Sequence, residues 1–136
     1  MTETPTKKSG ILNPELAKQL AMLGHFDKIC IADAGLPIPA EVLRIDLALT
    51  KNVPLLSQVL DALELEIQVQ EVIVAKETEA KNTPLAALVK KLWPAAKQTR
   101  VTHEKFKEQL KDCRMVIRTG EFTPYANVIL VSGVPF

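Results

Sequence analysis

The chain has 136 residues, of which 47% are hydrophobic and 24% charged, a globular balance that excludes a disordered chain and fits one domain. Seventeen Lys and Arg against sixteen Asp and Glu leave a net charge near +1 with no long basic run, which argues against a nucleic-acid partner. No apolar run approaches the roughly 18 residues of a membrane helix, and Met1 to Lys8 contains no apolar core of a secretory signal, so a cytoplasmic protein is expected, with no membrane partner.

Cys30 and Cys113 belong to no CxxC pair and read as reduced, buried thiols. With only two, well-separated histidines, no zinc site is expected. Residues 1–9 are polar and read as a flexible tail ahead of a domain spanning 10–136. Asn13-Pro14-Glu15 starts a helix, with Asn as N-cap and Pro at the first helical position. Leu16, Leu20 and Leu23 follow at helical spacing, and Gly24 fits a left-handed residue that ends the helix. His25 then sits just past a helix C-terminus, where protonation is favoured if the last carbonyls face it.

Lys28 to Ala32 is a short apolar run between turn residues, a strand buried on both faces. Asp33 stands where it ends, followed by a loop stiffened by Pro37 and Pro39. Val42–Leu49 reads as a strand, and Val53-Pro54 starts a helix with Leu55, Leu56, Val59, Leu60 and Leu63 on one face. Ile67–Ala75 is the clearest β segment, and Thr83-Pro84 caps a helix that Trp93-Pro94 stops. Arg100–Thr102 is a short strand, and Thr102 caps a short helix from His103. Met115–Arg118 and Val128–Val131 are β-rich runs joined by a turn containing Tyr125 and Asn127. Strands alternating with helices predict an α/β fold: a single layered domain with a central, mostly parallel sheet flanked by helices.

The side chains suited to chemistry are few. His25 and His103 titrate near neutral pH and lie at element boundaries. Asp33, Tyr125 and Asn127 add a carboxylate, a phenol and an amide. Each has a plain alternative role, as a helix cap, a packed ring or a turn residue; Arg44, Arg118 and Glu121 read as ion pairs or solvated rims. There is no Gly-rich phosphate loop and no serine nucleophile elbow. Donors and acceptors with little net charge suit a neutral polyhydroxylated ligand.

Seven blocks sharpen this reading: Gly10–Asn13, Leu23-Gly24-His25, Asp33-Ala34-Gly35-Leu36-Pro37-Ile38-Pro39, Arg44–Leu49, Thr102–Phe106, Arg118-Thr119-Gly120-Glu121 and Thr123–Leu130. Together they resemble the ribose pyranase and fucose mutarotase family of sugar mutarotases over nearly the whole chain. The loop after Asp33 resembles the ribose branch. The resemblance implies interconversion of the β-pyranose and β-furanose forms of D-ribose, without metal or cofactor. It places His25 as the proton-donating catalytic residue and Asp33, His103, Tyr125, Ala126 and Asn127 against the sugar. Asp33 either orients His25 or binds a sugar hydroxyl. The resemblance also implies a ring-shaped homo-oligomer, a homodecamer in most members, with sites near subunit contacts. A mutarotase for another sugar such as L-fucose, and a non-catalytic sugar-binding module, are the alternatives.

Overall fold

The computed structural model describes residues 6–136. The first five residues of the expected tail lie outside the described residues; residues 6–9 are exposed and in no helix or strand. Six strands, β1 (Lys28–Ala32), β2 (Leu43–Asp46), β3 (Val69–Ala75), β4 (Lys97–Val101), β5 (Met115–Arg118) and β6 (Val128–Ser132), form one sheet in the order β2-β5-β1-β6-β3-β4. β2, β5 and β1 pair in parallel, as do β3 and β4; β6 runs antiparallel between β1 and β3. The domain is the expected α/β fold with a mostly parallel sheet.

The two-residue period of the strands divides the core. Ile29, Ile31, Met115, Ile117, Val128 and Leu130 face one side. There they pack under α1 (Pro14–Ala21), α2 (Leu56–Glu64) and α4 (Thr83–Leu92) through Leu16, Leu20, Val59, Leu60 and Val89. Cys30, Val116, Ile129 and Val131 face the other side, covered by Phe106 and Leu110 of α5 (His103–Gln109) and the 3₁₀ turn after it. Each large aliphatic side chain buried this way contributes about 1.5–3 kcal/mol. Both thiols are free and buried on the α5 face. Burial pushes Cys30 well up from its ordinary value and Cys113 up to about 12.

The differences from expectation are local. Asn13 caps α1 as read, its Oδ1 accepting from the Leu16 N–H at 2.9 Å. Gly24 is not left-handed: α1 ends at Ala21, and the positive φ falls on Phe26, at 71°. The cap of α4 is Asn82, one residue before Thr83. Thr102 caps α5 as expected, accepting from the Lys105 N–H at 3.2 Å. A short helix, α3 (Lys76–Lys81), follows β3 directly; only Thr78 of its six residues is buried, so no apolar period announces it.

Candidate active site

Five strands end on the same side of the sheet, and β6 begins there. Strand ends of this kind leave backbone groups and loops to form a cleft. Asp33 follows β1, Thr119 follows β5, His103 opens α5 after β4, and Tyr125-Ala126-Asn127 leads into β6.

The loop after β1 is fastened from three directions. The fully buried Thr119 hydroxyl donates to the Ala32 carbonyl at 2.8 Å. The Arg118 Nε donates to the Ala34 carbonyl at 3.1 Å while its guanidinium meets the Asp46 carboxylate at 3.2 Å. The Ala34 N–H donates to the Glu121 carbonyl at 2.9 Å. Gly120 lets the chain after β5 pass tight against the turn at Thr50–Val53, because a Cβ there would meet the carbonyl oxygens of Thr50 and Val53 at 2.5 Å.

Asp33 and Asn127 form a reciprocal pair across 94 residues of sequence. The Asp33 N–H donates to the Asn127 Oδ1 at 2.9 Å, and the Asn127 Nδ2 donates to the Asp33 Oδ2 at 3.2 Å. The Gly35 N–H holds the other carboxylate oxygen at 3.1 Å. Burial raises the Asp33 carboxyl above its ordinary value, against the opposing hydrogen bonds from Gly35 and Asn127 and from the backbone of Leu36 and Ala126. Ala126 is buried and reaches the Asp33 carboxylate through its backbone.

His103 stands beside this pair. Tyr125 meets its ring edge-on at 5.2 Å and 88°, and Phe106 lies parallel to it at 6.5 Å. Both Glu77 carboxylate oxygens accept from the His103 backbone N–H at 3.2 Å. The His103 Nδ1 is buried and has no hydrogen-bond partner among the described residues. Tyr125 adopts a φ of 56° and is tied down by the Thr78 hydroxyl, which donates to its carbonyl at 2.9 Å. The Asn82 Nδ2 donates to the Pro124 carbonyl at 3.1 Å, so the residue that caps α4 also holds the site loop. Asp33, Leu36, Pro37, His103, Tyr125 and Asn127 line a cleft of about 320 Å³, at the small end of ligand sites. Among the described residues no group of three or more His, Cys, Asp or Glu is placed to hold a metal ion.

His25 lies elsewhere. It precedes β1, whereas Asp33 follows it, and the strand alone spans roughly 13 Å at about 3.3 Å per residue. The exposed imidazole stacks on Phe26 at 3.8 Å and 10°, and its Nε2 lies 2.7 Å from the Gln70 Oε1, near the start of β3. Asp33 therefore does not orient His25 within one chain. Of the residues singled out from sequence, Asp33, His103, Tyr125, Ala126 and Asn127 come together, and His25 does not join them.

Residues 6–135 match the RbsD / FucU transport protein family. The chain belongs to this family. D-ribose pyranase of Clostridium botulinum (strain Eklund 17B / Type B) is 51% identical over 130 residues, covering 96% of this chain and 99% of the relative. The structure of Bacillus subtilis RbsD complexed with D-ribose matches with a TM-score of 0.91 at 51% identity, over 96% of this chain and 99% of that one. The fucose mutarotase of Streptococcus pneumoniae, in complex with L-fucose, shares the fold with a TM-score of 0.73 at 22% identity, over 91% and 94% of the two chains.

Sequence reasoning missed the supporting residues of this family member. Gln70, Glu77, Thr78 and Asn82 lie outside the seven blocks, and Thr119 lies inside one without a role read for it. Asn82 had a readable signal, since Asn-Thr-Pro fits an N-cap before a helix as well as Thr-Pro does. Glu121 is more than a solvated rim: its Oε1 accepts from the Leu56 N–H at 3.1 Å, capping α2, and its Oε2 accepts from the Thr123 hydroxyl at 2.7 Å.

Proposed function

We propose that this chain interconverts the β-pyranose and β-furanose forms of D-ribose by acid–base ring opening and reclosure. The observation that carries the reading is the near-full-length similarity to D-ribose pyranase, at 51% identity. The cleft agrees with it, offering carboxylate, amide, phenol and imidazole groups to a neutral polyol. The proposed catalytic domain is residues 10–136.

The reaction needs one acid and one base. A proton goes onto the ring oxygen as the bond from C1 to that oxygen breaks, and the anomeric hydroxyl loses a proton to become the aldehyde. The C4 hydroxyl then adds to C1 and closes the five-membered ring. His25 is the proposed proton donor. Asp33 is the proposed acceptor of the anomeric proton, because a partly desolvated carboxylate with a raised pKa is the stronger base. His103, Tyr125, Asn127 and the Ala126 backbone hold the remaining hydroxyls.

An acid and a base at opposite ends of β1 cannot serve one sugar in one chain. The separation supports a ring-shaped homo-oligomer, a homodecamer by family resemblance, in which His25 of one copy closes the cleft of the next. Two free, buried cysteines support a cytoplasmic setting.

Saturation-transfer NMR on D-ribose tests the reading. Wild-type protein is expected to accelerate pyranose–furanose exchange, and His25→Ala to lower the acceleration by about 10²–10⁴-fold. Near-wild-type exchange in a folded His25→Ala protein removes His25 as donor. Saturable ribose binding without exchange makes the chain a binding module, and faster exchange of L-fucose than of ribose reassigns the substrate.

A further inference from the structure

Resting on the proposed role of His25, we infer that Gln70 is a positioning residue that fixes the His25 tautomer and makes Nδ1 the atom that exchanges its proton with the sugar. The hydrogen bond itself argues this. The Gln70 Oε1 lies 2.7 Å from the His25 Nε2. An amide oxygen only accepts, so Nε2 carries the hydrogen. In the neutral ring this leaves the lone pair on Nδ1. When the ring is protonated, Nε2 keeps its bond to Gln70 and Nδ1 holds the proton to be given away.

The surroundings support a device built for orientation. His25 is exposed, and an exposed imidazole ordinarily samples several rotamers. Here its face lies on Phe26, and its edge is tied to a strand 45 residues away. The Phe26 backbone is held in turn, its N–H donating to the Ser132 carbonyl at 2.9 Å. Gly133 leaves room for Gln70: a Cβ at that glycine would come within 3.3 Å of the Gln70 Cβ and 3.5 Å of its Oε1. Stack and hydrogen bond together leave one ring nitrogen facing outward. Residues that orient a metal-bound imidazole in this way cost about 10–100-fold when removed, and a loss of that order is expected here.

The test uses full-length protein at its native assembly size, checked by sedimentation. Gln70→Met keeps the side-chain length against Gly133 and removes the acceptor. It is expected to lower kcat for ribose exchange by about tenfold or more with KM within twofold of wild type. The His25 ring-nitrogen NMR shifts of Gln70→Met should move from the Nε2–H tautomer toward an average of the two. Gln70→Glu, which restores an acceptor, should recover most of the lost kcat and the Nε2–H signature. An unchanged kcat and tautomer in Gln70→Met overturns the inference, as does a Gln70→Glu protein as slow as Gln70→Met. The control separates the two levels of the reading. If His25→Ala itself exchanges ribose at the wild-type rate, the donor assignment fails; if His25→Ala is inactive and Gln70→Met is not, only the role of Gln70 fails.

Discussion

His25 and His103 are both held by an aromatic residue in the left-handed region, Phe26 at φ 71° and Tyr125 at φ 56°. Bulky residues seldom adopt that conformation, and its cost persists where surrounding structure enforces it. The two pairs differ in what enforces it. Around Tyr125, Thr78 and Asn82 hold the backbone carbonyls, Lys81 lies 5.5 Å over the ring, and Glu77 holds the His103 N–H. Around Phe26 there is one backbone bond to Ser132, and the residue is 66% exposed. The first pair is a finished wall of a cleft. The second is an open projection, placed where the proposed neighbouring copy would meet it.

The largest expected effect breaks this comparison outright. His25→Ala and Asp33→Ala homo-oligomers should each be nearly inactive. Co-refolded in equal amounts, they should recover about a quarter of wild-type exchange, because a random mixture pairs an intact donor with an intact neighbouring cleft at that frequency in a closed ring. A mixture as inactive as its parents places donor and cleft in the same chain by some rearrangement and removes the shared site.

The finished wall should respond differently. Asn127→Ala leaves the Asp33 N–H and one carboxylate oxygen without their partner in a site where Asn127 is only 3% exposed. Loss of about 1–3 kcal/mol of stability is expected, together with weaker ribose binding, as read by thermal melts and titration. Unchanged affinity would mean that Asn127 only braces the loop. At the open projection, Phe26→Gly relieves a left-handed backbone while removing the ring under His25. Stability should stay level or rise by up to about 1 kcal/mol while kcat falls. A clear loss of stability with full activity would show the stack to be structural.

The same contrast explains what was legible in the sequence. The strand-end position of Asp33 follows from a short apolar run between turn residues, and the approach of Asn127 follows from strand β6 starting where β1 ends. His25 and Asp33 looked like partners because only seven residues separate them. Five of those seven form a strand, and an extended strand carries its ends apart. The site contacts of Thr78, Asn82 and Glu77 were invisible because their partners, Tyr125, Pro124 and His103, are distant in sequence and bonded through backbone atoms, which leave no side-chain pattern. The left-handed residue was sought at Gly24 on steric grounds, yet the chain leaves α1 through Met22 in a helical conformation and turns only at Phe26.

The smallest expected effect is on pH, and it comes from the finished wall. Burial raises the Asp33 carboxyl, so between its unfolded value of about 3.9 and its higher folded value the native protein holds a proton that the unfolded chain has released. Native protein binding the extra proton means that the Asp33 contribution to stability is fully present below the unfolded value. It is lost as pH rises through the folded one. Activity should move the other way, since a base must be deprotonated to accept the anomeric proton. Lowering the pH through this window should therefore slow ribose exchange while the Asp33 contribution to stability grows. Asp33→Asn removes a titrating group and should flatten the stability difference between the two proteins outside that window, which paired melts across pH would reveal. If wild type and Asp33→Asn keep the same stability difference at every pH, the carboxylate is not the desolvated base that its burial implies, and the hydrogen bonds from Gly35 and Asn127 dominate instead.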